Sequence, residues 1–250
     1  MNIPPKVVGA QRLFRWRTAC MLVTAFVSIS ALALTAAPHT RAASSVYVGV
    51  SISGVPDSMA ALNQYESDLG KHAAIVNFWR DFGSANSTIP AFYLQNLDAH
   101  GSVPMVTWLP TNWNGGDQSS YSLAAIAGGA QDSYLRGWAQ QLHAYGKPIL
   151  IRFAHEMNGT WYPQWSGDPA AYIAAWRHIH DLFVQNGATN VQWVWAPNIW
   201  YQVSLATDGR AYYPGDGYVD WVRSTATTIR PTAGKALPRC FSTPTRSSRR

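Results

Sequence analysis

Residues 149–196 read ILIRFAHEMNGTWYPQWSGDPAAYIAAWRHIHDLFVQNGATNVQWVWA, and this stretch decides the fold. Its two ends, 149–153 and 191–196, are apolar runs of the length expected for buried strands. Between them Asp168-Pro169 predicts the start of a helix, because aspartate is a good N-cap and proline suits the first helical position. The helical pattern ends at Asn186-Gly187. A strand, a helix and a strand in this order predict one βαβ unit with parallel strands.

The same alternation of apolar runs and helical patterns continues on both sides of this unit. Further strands are predicted at 46–52, 74–79 and 103–109, the start of a sixth at 218–222, and further helices at 57–70, 90–100 and 131–145. No glycine-rich phosphate loop follows the first strand, which weighs against a doubly wound dinucleotide-binding sheet. Polar and aromatic residues cluster after strand ends, where barrel enzymes place their sites. The predicted fold class is α/β, an incomplete (β/α)8 TIM barrel with strands 1–5 and the start of strand 6 only.

The two ends of the chain differ in composition from the part that carries this pattern. Residues 1–43 combine basic residues, an apolar stretch and then small residues, as a secretory signal peptide does. We expect the leader to be cleaved and the protein to be secreted. An uncleaved membrane anchor is the alternative, because the stretch approaches the roughly 20 residues that span a bilayer. Residues 44–222 form the predicted barrel domain, and residues 223–250 form a basic tail that we expect to be disordered.

The formal net charge of +6 resides in these two ends. Residues 1–41 hold five Lys and Arg and residues 223–250 hold seven, which leaves seven bases against all 13 acids in between. A basic balance ordinarily suggests nucleic acid or an anionic surface as a partner. Because the basicity lies outside the barrel, we expect no nucleic acid and no stable membrane association after cleavage. Cys20 and Cys240 are the only cysteines, so the barrel domain has neither a disulfide framework nor a cysteine metal site.

The residues best suited to chemistry follow the predicted strand at 149–153. They are a histidine, a glutamate, an asparagine and two tryptophans: His155, Glu156, Asn158, Trp161 and Trp165. A glutamate after a barrel strand can point into the barrel mouth, and partial burial among aromatic side chains would help it to hold a proton, as a general acid must. Arg152 and His155 could orient that carboxyl group, and the tryptophans could stack on sugar rings.

His155-Glu156 also raises the alternative of a metal-dependent hydrolase. Two adjacent residues of a strand point to opposite faces, however, and no further ligand spacing supports a metal site there. The sequence therefore predicts neither a metal nor an organic cofactor.

Residues 149–159 resemble the acid/base motif of glycoside hydrolase family 26, whose best-known members are endo-β-1,4-mannanases. Residues 192–198, QWVWAPN, resemble that family's fifth strand and the loop after it. Residues 212–216 and 218–222, YYPGD and YVDWV, resemble the approach to its sixth strand. Together with the preceding strands, the resemblance covers roughly residues 46–222.

This resemblance implies a retaining glycoside hydrolase that acts on β-1,4-linked plant polysaccharide, mannan or a related β-glycan. Glu156 would be the general acid/base. The residues implied as substrate-binding are Arg152, His155, Asn158, Trp161, Trp165, Trp195 and Asn198.

A retaining mechanism needs a second carboxylate about 5–5.5 Å from the first. The family places this nucleophile, a glutamate, at the end of the seventh strand, and nothing in this sequence matches it. The chain's other glutamate, Glu66, lies in the first predicted helix, where we expect a solvated charge, and Asp220 belongs to the sixth strand's own pattern. We therefore expect an inactive member of the family, and the alternative is a non-catalytic carbohydrate-binding remnant.

The abrupt change of composition after Val222 suggests a shifted reading frame. Read one base out of register, codons permitted by residues 223–241 give VDGYNYPSNGWQSFAQVF, which resembles the family's sixth strand and the following segment. We expect a one-base insertion or deletion near Val222, and hence a truncated barrel with unpaired sheet edges.

Overall fold

A computed structural model describes residues 47–83, 88–198, 209–224 and 228–231 of the chain. These residues form seven strands: β1 Val48–Val50, β2 Ala73–Asp81, β3 Val103–Leu109, β4 Ile149–Phe153, β5 Val191–Trp195, β6 Trp221–Ser224 and β7 Thr228–Pro231. The order of the strands in the sheet follows the chain. Strands β1 to β6 pair in parallel, each with the next, whereas β7 pairs antiparallel with β6.

Helices lie between consecutive parallel strands. The α-helices are α1 Ala60–Leu69, α2 Ala91–His100, α3 Leu123–Ala127, α4 Asp132–Tyr145 and α5 Pro169–Gln185. The predicted start of α5 is confirmed, because the Asp168 side chain accepts the backbone N–H of Ala171 and Pro169 is the first helical residue. Helix α2 ends at Gly101, whose φ of 84° is a left-handed conformation that glycine adopts without a Cβ penalty.

The two faces of the sheet contribute to separate hydrophobic cores, as alternation along a strand requires. In β4, Ile151 and Phe153 belong to the larger core, which includes helix residues such as Trp138 and Trp176. The smaller core lies on the other face and consists of Ile75, Val103, Met105, Leu150, Val194 and Trp221. The smaller core therefore fills the inside of the curled sheet, and the helices cover its outside.

Six consecutive parallel strands with intervening helices confirm the predicted incomplete (β/α)8 barrel. Strand β4 has its predicted bounds, and the other predicted elements agree with the observed ones to within a few residues. The sequence patterns do not predict α3, which is five residues long and follows the glycine-rich loop after β3. In the part of the chain that the structure describes, no helix has the length and apolar character needed to cross a membrane.

The tail contains a strand that the sequence analysis does not predict. Residues 228–231 lie in the segment expected to be disordered, yet they form β7, with Arg230 opposite Val222 of β6. The reason is that β6 ends the parallel sheet and its outer edge presents backbone N–H and C=O groups, which β7 pairs. The leader and residues 232–250 lie outside the described residues, and so do the expectations made for them.

Candidate active site

A strained turn follows β4 at the carboxyl edge of the sheet. Ala154 and Glu156 have φ values of 42° and 55°, although neither is glycine. Such conformations cost about 1–3 kcal/mol each and persist only where the surroundings fix them. Strand β4 ends at Phe153, so His155 and Glu156 are not strand residues. The expectation that they point to opposite faces of a strand, which we used against a metal site, therefore does not apply at this turn.

Backbone hydrogen bonds to both neighbouring strands fix the turn. The Ala154 N–H donates to the Trp108 carbonyl oxygen of β3 at 2.9 Å, and the Glu156 N–H donates to the Ala196 carbonyl oxygen just after β5 at 2.8 Å. Each strained residue is thus held by a backbone group that lies about 40 residues or more away in sequence. The conformation of Glu156 is therefore a product of the sheet and not of its local sequence.

The Glu156 carboxylate is partly buried and lies against a tryptophan. The Trp161 Nε1–H donates to Glu156 Oε2 at 2.8 Å. The indole covers Gly159 so closely that a Cβ added there would lie 2.4 Å from the ring. Trp161 is 44% exposed, so the carboxylate and the ring can meet a ligand together.

His155 is buried beside the turn in an aromatic environment. Its ring centroid lies 5.2 Å from that of Trp79 and 5.0 Å from that of Tyr162. Burial raises the pKa of the Tyr162 hydroxyl, the negative charge of Glu156 raises it further, and the positive charge of Arg152 lowers it. Glu156 and Arg152 therefore both act electrostatically on the same hydroxyl group.

Arg152 belongs to a polar chain that crosses the inside of the sheet. Its Nε–H donates to Thr107 Oγ1 at 3.0 Å, and the guanidinium carbon lies 5.6 Å from the ring centroid of Trp79. The Thr107 hydroxyl donates to Asn77 Oδ1 at 2.6 Å, and Asn77 Nδ2–H donates to Ser51 Oγ at 3.1 Å. This chain is buried except at Ser51, joins β4, β3 and β2 to the residue after β1, and fixes the guanidinium beside Trp79.

Asn158 and Asn198 tie the turn after β4 to the loop after β5. The Asn158 Nδ2–H donates to the Asn198 carbonyl oxygen, and Asn158 Oδ1 accepts the Asn198 backbone N–H, both at 2.8 Å. Both polar atoms of the buried Asn158 amide are thus engaged by the backbone of Asn198. Asn158 therefore joins the turn to the loop after β5, and the sugar contact implied by the resemblance stays a prediction.

Two of the tryptophans expected to contact sugar are buried. Trp165 is 2% exposed, stacks on Tyr162 at a centroid distance of 4.5 Å, and donates through Nε1 to the His155 carbonyl oxygen. Trp195 is 7% exposed and packs edge-on against Tyr213 at 5.1 Å. Stacking on a sugar needs an exposed ring face. The structure therefore places Trp165 and Trp195 in the wall behind the site.

Two exposed tryptophans that the sequence analysis did not single out extend the site. Trp79, near the end of β2, is 40% exposed, and Trp113, in the loop after β3, is 58% exposed. Their ring centroids lie 6.5 Å apart. The Trp113 backbone N–H donates to the buried Asp81 carboxylate at 2.7 Å, which anchors the loop. The sequence could have indicated these two residues, because both lie at or just after the carboxyl end of a predicted strand.

The other carboxylates considered from the sequence lie at the amino-terminal end of the strands. Glu66 accepts the backbone N–H of Ala73, the first residue of β2, and its side chain is 18% exposed, so it is not the solvated charge that we expected. Asp220 precedes β6 and accepts the Trp193 backbone N–H at 2.8 Å. Neither is placed to act with Glu156, which lies at the carboxyl end.

Glu156 lies at the carboxyl end of a barrel strand, where (β/α)-barrel enzymes place their catalytic residues. Residues 129–229, which include the Glu156 turn, match the model of Glycosyl hydrolase family 26. The chain belongs to glycosyl hydrolase family 26, as its motifs indicated.

Two known relatives are similar to more than half of this chain. Endoglucanase H of Acetivibrio thermocellus is 37% identical over 174 residues, which cover 67% of this chain and 18% of that protein. Mannan endo-1,4-beta-mannosidase A and B of Caldalkalibacillus mannanilyticus is 29% identical over 165 residues, which cover 61% of this chain and 30% of that protein. The chain thus spans less than a third of the length of either relative.

The structure of GH26A from a Muricauda species matches with a TM-score of 0.52 at 21% sequence identity. The match covers 72% of this chain and 67% of that one. At this identity the similarity establishes a shared fold.

Proposed function

We propose that Glu156 is the general acid/base of a site for β-1,4-linked plant polysaccharide of the mannan type. The observation that carries this proposal is the Glu156 carboxylate on a strained turn at the barrel mouth, held by the indole N–H of Trp161. As an acid, Glu156 would give its proton to the glycosidic oxygen while the bond from that oxygen to the anomeric carbon breaks. As a base, it would take a proton from the attacking water.

The exposed tryptophans supply the surface for the sugar chain. Trp79, Trp113 and Trp161 are each 40% exposed or more, and all three lie at or beyond carboxyl ends of strands. The flat faces of indole rings match the apolar faces of β-linked hexose rings, and burying both removes apolar surface from water. We assign sugar stacking to these three residues and support of the turn to Asn158, Trp165 and Trp195.

The substrate class follows from the family and from the names of the relatives. One relative is named an endoglucanase and the other a mannan endo-1,4-beta-mannosidase. Mannan is the substrate that we propose, and β-glucan is the competing substrate in the test. Because such polysaccharides are too large to enter a cell, the signal-peptide composition of residues 1–43 is consistent with secretion.

The second carboxylate of the retaining mechanism has no counterpart among the glutamates of this sequence. The chain has two glutamates, and Glu66 lies at the amino-terminal end of β2. A glycosyl-enzyme intermediate needs a nucleophile about 5–5.5 Å from the acid/base, and Glu66 does not supply it. We therefore propose that this chain binds polysaccharide without hydrolysing it. This is the non-catalytic, carbohydrate-binding alternative of the sequence analysis.

The test is electrophoresis of the full chain through gels that contain β-mannan or β-glucan, with reducing-sugar release measured in parallel. We expect retardation by mannan, no release of sugar, and a loss of at least fivefold in affinity in Trp113→Ala. Phe92→Ala is the matched control, because Phe92 is an exposed aromatic residue of α2 that is not part of the site, and we expect it to bind like the unchanged chain. Equal binding by both variants would contradict the proposed sugar surface.

Glu156 is tested by Glu156→Gln, which preserves size and an acceptor for Trp161 while removing the titratable group. In a gene whose reading frame is restored after residue 222, we expect activity on mannan that Glu156→Gln reduces by at least a thousandfold. Sugar release by the chain of the present sequence that disappears in Glu156→Gln would support the acid/base role but refute the proposed loss of turnover.

A further inference from the structure

Two histidines and a glutamate converge at the end of the barrel opposite the Glu156 site. Glu66 lies in α1, His72 lies between α1 and β2, and His100 is the last residue of α2. His72 Nδ1 lies 3.2 Å from Glu66 Oε1, and His100 Nε2 lies 3.1 Å from Glu66 Oε2. The two imidazole rings stack at a centroid distance of 4.9 Å. One ring nitrogen of each histidine thus faces the same carboxylate.

The hydrogen bonds of Ser102 determine which nitrogen of His100 carries a proton. The Ser102 hydroxyl donates its single proton to the Ala73 carbonyl oxygen at 2.6 Å. It must therefore accept from His100 Nδ1, which lies 2.8 Å away, and so Nδ1 carries a hydrogen. In neutral imidazole the second nitrogen, Nε2, then presents a lone pair, and that lone pair faces Glu66.

A backbone carbonyl determines which nitrogen of His72 carries a proton. Its Nε2 lies 3.3 Å from the Gly101 carbonyl oxygen, which can only accept, so Nε2 carries a hydrogen. In the neutral ring the lone pair is then on Nδ1, which faces Glu66. When both rings are neutral, two nitrogen lone pairs and a carboxylate point toward one another, and either a proton on each ring or one shared metal ion relieves their repulsion.

We propose that Glu66, His72 and His100 bind a divalent transition-metal ion, with Zn²⁺ as the ion that best fits the donors. The three ligand atoms lie within 4.8 Å of one another. A tetrahedral Zn²⁺ at about 2.0–2.2 Å from each ligand needs ligand separations of roughly 3.3 Å. Each histidine nitrogen already lies close to that distance from one oxygen of the Glu66 carboxylate, Oε1 for His72 and Oε2 for His100, and a small approach of the two histidines completes the set.

The surroundings have the features of metal sites. Histidines that bind metals usually donate their other N–H to a carbonyl or similar acceptor, and Gly101 and Ser102 supply these acceptors. The His72 side chain is 50% exposed, which leaves an entry path and room for water as the fourth ligand. Two imidazoles and one carboxylate suit Zn²⁺ better than Mg²⁺ or Ca²⁺, which prefer oxygen ligands.

A bound ion would join α1 to the end of α2 and would stabilise the folded chain. The test uses the full chain, freed of metal with a chelator and held at pH 8, where most histidine side chains are neutral. Addition of Zn²⁺ alone, at about a hundredfold excess over its Kd, is expected to raise Tm by about 5–10 °C. Co²⁺ in place of Zn²⁺ should give the visible absorption bands of tetrahedral coordination, and equilibrium dialysis should give one ion bound at this site.

His72→Gln and Glu66→Gln should abolish the rise in Tm and the cobalt spectrum. Glu66→Gln is conservative, since glutamine at position 66 can still accept the Ala73 N–H. The matched control is His143→Gln, because His143 is an exposed histidine that contacts the Gly187 carbonyl oxygen away from this cluster, and it should retain both signals. Absence of a cobalt spectrum in the unchanged chain, or an equal response in His72→Gln, would overturn the proposal.

Discussion

The two glutamates of the chain lie at opposite ends of the same sheet and differ in how completely they are bound. At the amino-terminal end, Glu66 accepts a backbone N–H from Ala73 and contacts two histidines. At the carboxyl end, Glu156 accepts one side-chain hydrogen bond among the described residues, from an indole that is itself 44% exposed. A carboxylate surrounded by donors joins elements of the fold, whereas one with free acceptor capacity beside an open ring can meet a substrate.

The backbone differs in the same way. Glu66 lies in a regular helix that costs nothing in conformational strain, while Glu156 has a φ of 55° that the neighbouring strands must enforce. Strain of this kind accumulates where function requires a fixed geometry. The comparison indicates that the carboxyl end holds the more costly polar groups, in a geometry that neighbouring strands enforce, whereas the backbone around Glu66 is unstrained. Three substitutions at the carboxyl end test this difference, two of them beside a matched substitution elsewhere, and they are taken from the largest expected effect to the smallest.

Thr107→Val should produce the largest loss of stability. The substitution keeps the shape of the side chain but removes the hydroxyl that accepts from Arg152 and donates to Asn77. A buried charged donor that loses one of its acceptors costs more than a neutral one, so we expect the free energy of unfolding to fall by about 3 kcal/mol. Urea denaturation measures this value.

The matched change at the other end is Ser102→Ala, which removes a buried hydroxyl between His100 and the Ala73 carbonyl oxygen. The groups that lose a hydrogen bond there are an imidazole N–H and a backbone carbonyl oxygen and include no guanidinium, so we expect a smaller loss of about 1–2 kcal/mol. An equal or larger loss in Ser102→Ala would contradict the view that the carboxyl end holds the more costly polar groups.

Gly159→Ala should separate binding from stability. The new Cβ would lie 2.4 Å from the Trp161 ring, so the indole must move away from Glu156. Loss of one hydrogen bond to a charged group corresponds to at least about a tenfold loss of mannan affinity. The affinity is measured by electrophoresis in mannan gels, and near-ultraviolet circular dichroism should report the displaced indole.

The control is Gly137→Ala, because Gly137 lies within α4 and a Cβ there meets nothing within 4 Å. Alanine is the better helix former, so we expect unchanged mannan affinity and a gain of about 0.5–1 kcal/mol in stability. Retained affinity in Gly159→Ala would show that the Trp161 contact with Glu156 does not contribute to binding.

The smallest effect is expected from Tyr213→Phe at alkaline pH. Burial raises the pKa of Tyr213 to about 12, with further contributions from its hydrogen bond to Asp216 and the negative charge there. Below the ordinary pKa of about 10 the tyrosine is protonated in both states and its contribution to stability is complete. Between pH 10 and 12 the unfolded chain releases the proton while the folded chain retains it, so stability falls as pH rises.

Tyr213→Phe should make this fall shallower, which urea midpoints at pH 9, 10 and 11 would show. Tyr213 packs against Trp195 behind the site, so the change reports on the carboxyl end of the sheet. A slope identical to that of the unchanged chain would contradict a raised pKa at this position.

Local sequence was sufficient where local physics controls the outcome. The apolar run of β4 and the Asp168-Pro169 start of α5 were predicted correctly, because strand alternation and helix capping involve residues that are neighbours in sequence. Strand β7 was not predicted. It forms by pairing with the outer edge of β6, and that edge exists only in the assembled sheet.

For the site, the sequence by itself determined which residue types are available. They are one glutamate that follows a strand, a histidine immediately before that glutamate, and tryptophans after the glutamate. The tertiary structure decided which of them face solvent. Trp165 and Trp195 are buried while Trp79 and Trp113 are exposed, because ring burial depends on packing between strands and loops distant in sequence. The left-handed conformation of Glu156 and the convergence of Glu66, His72 and His100 have the same origin. Each is produced by contacts between separate elements, which no local pattern records.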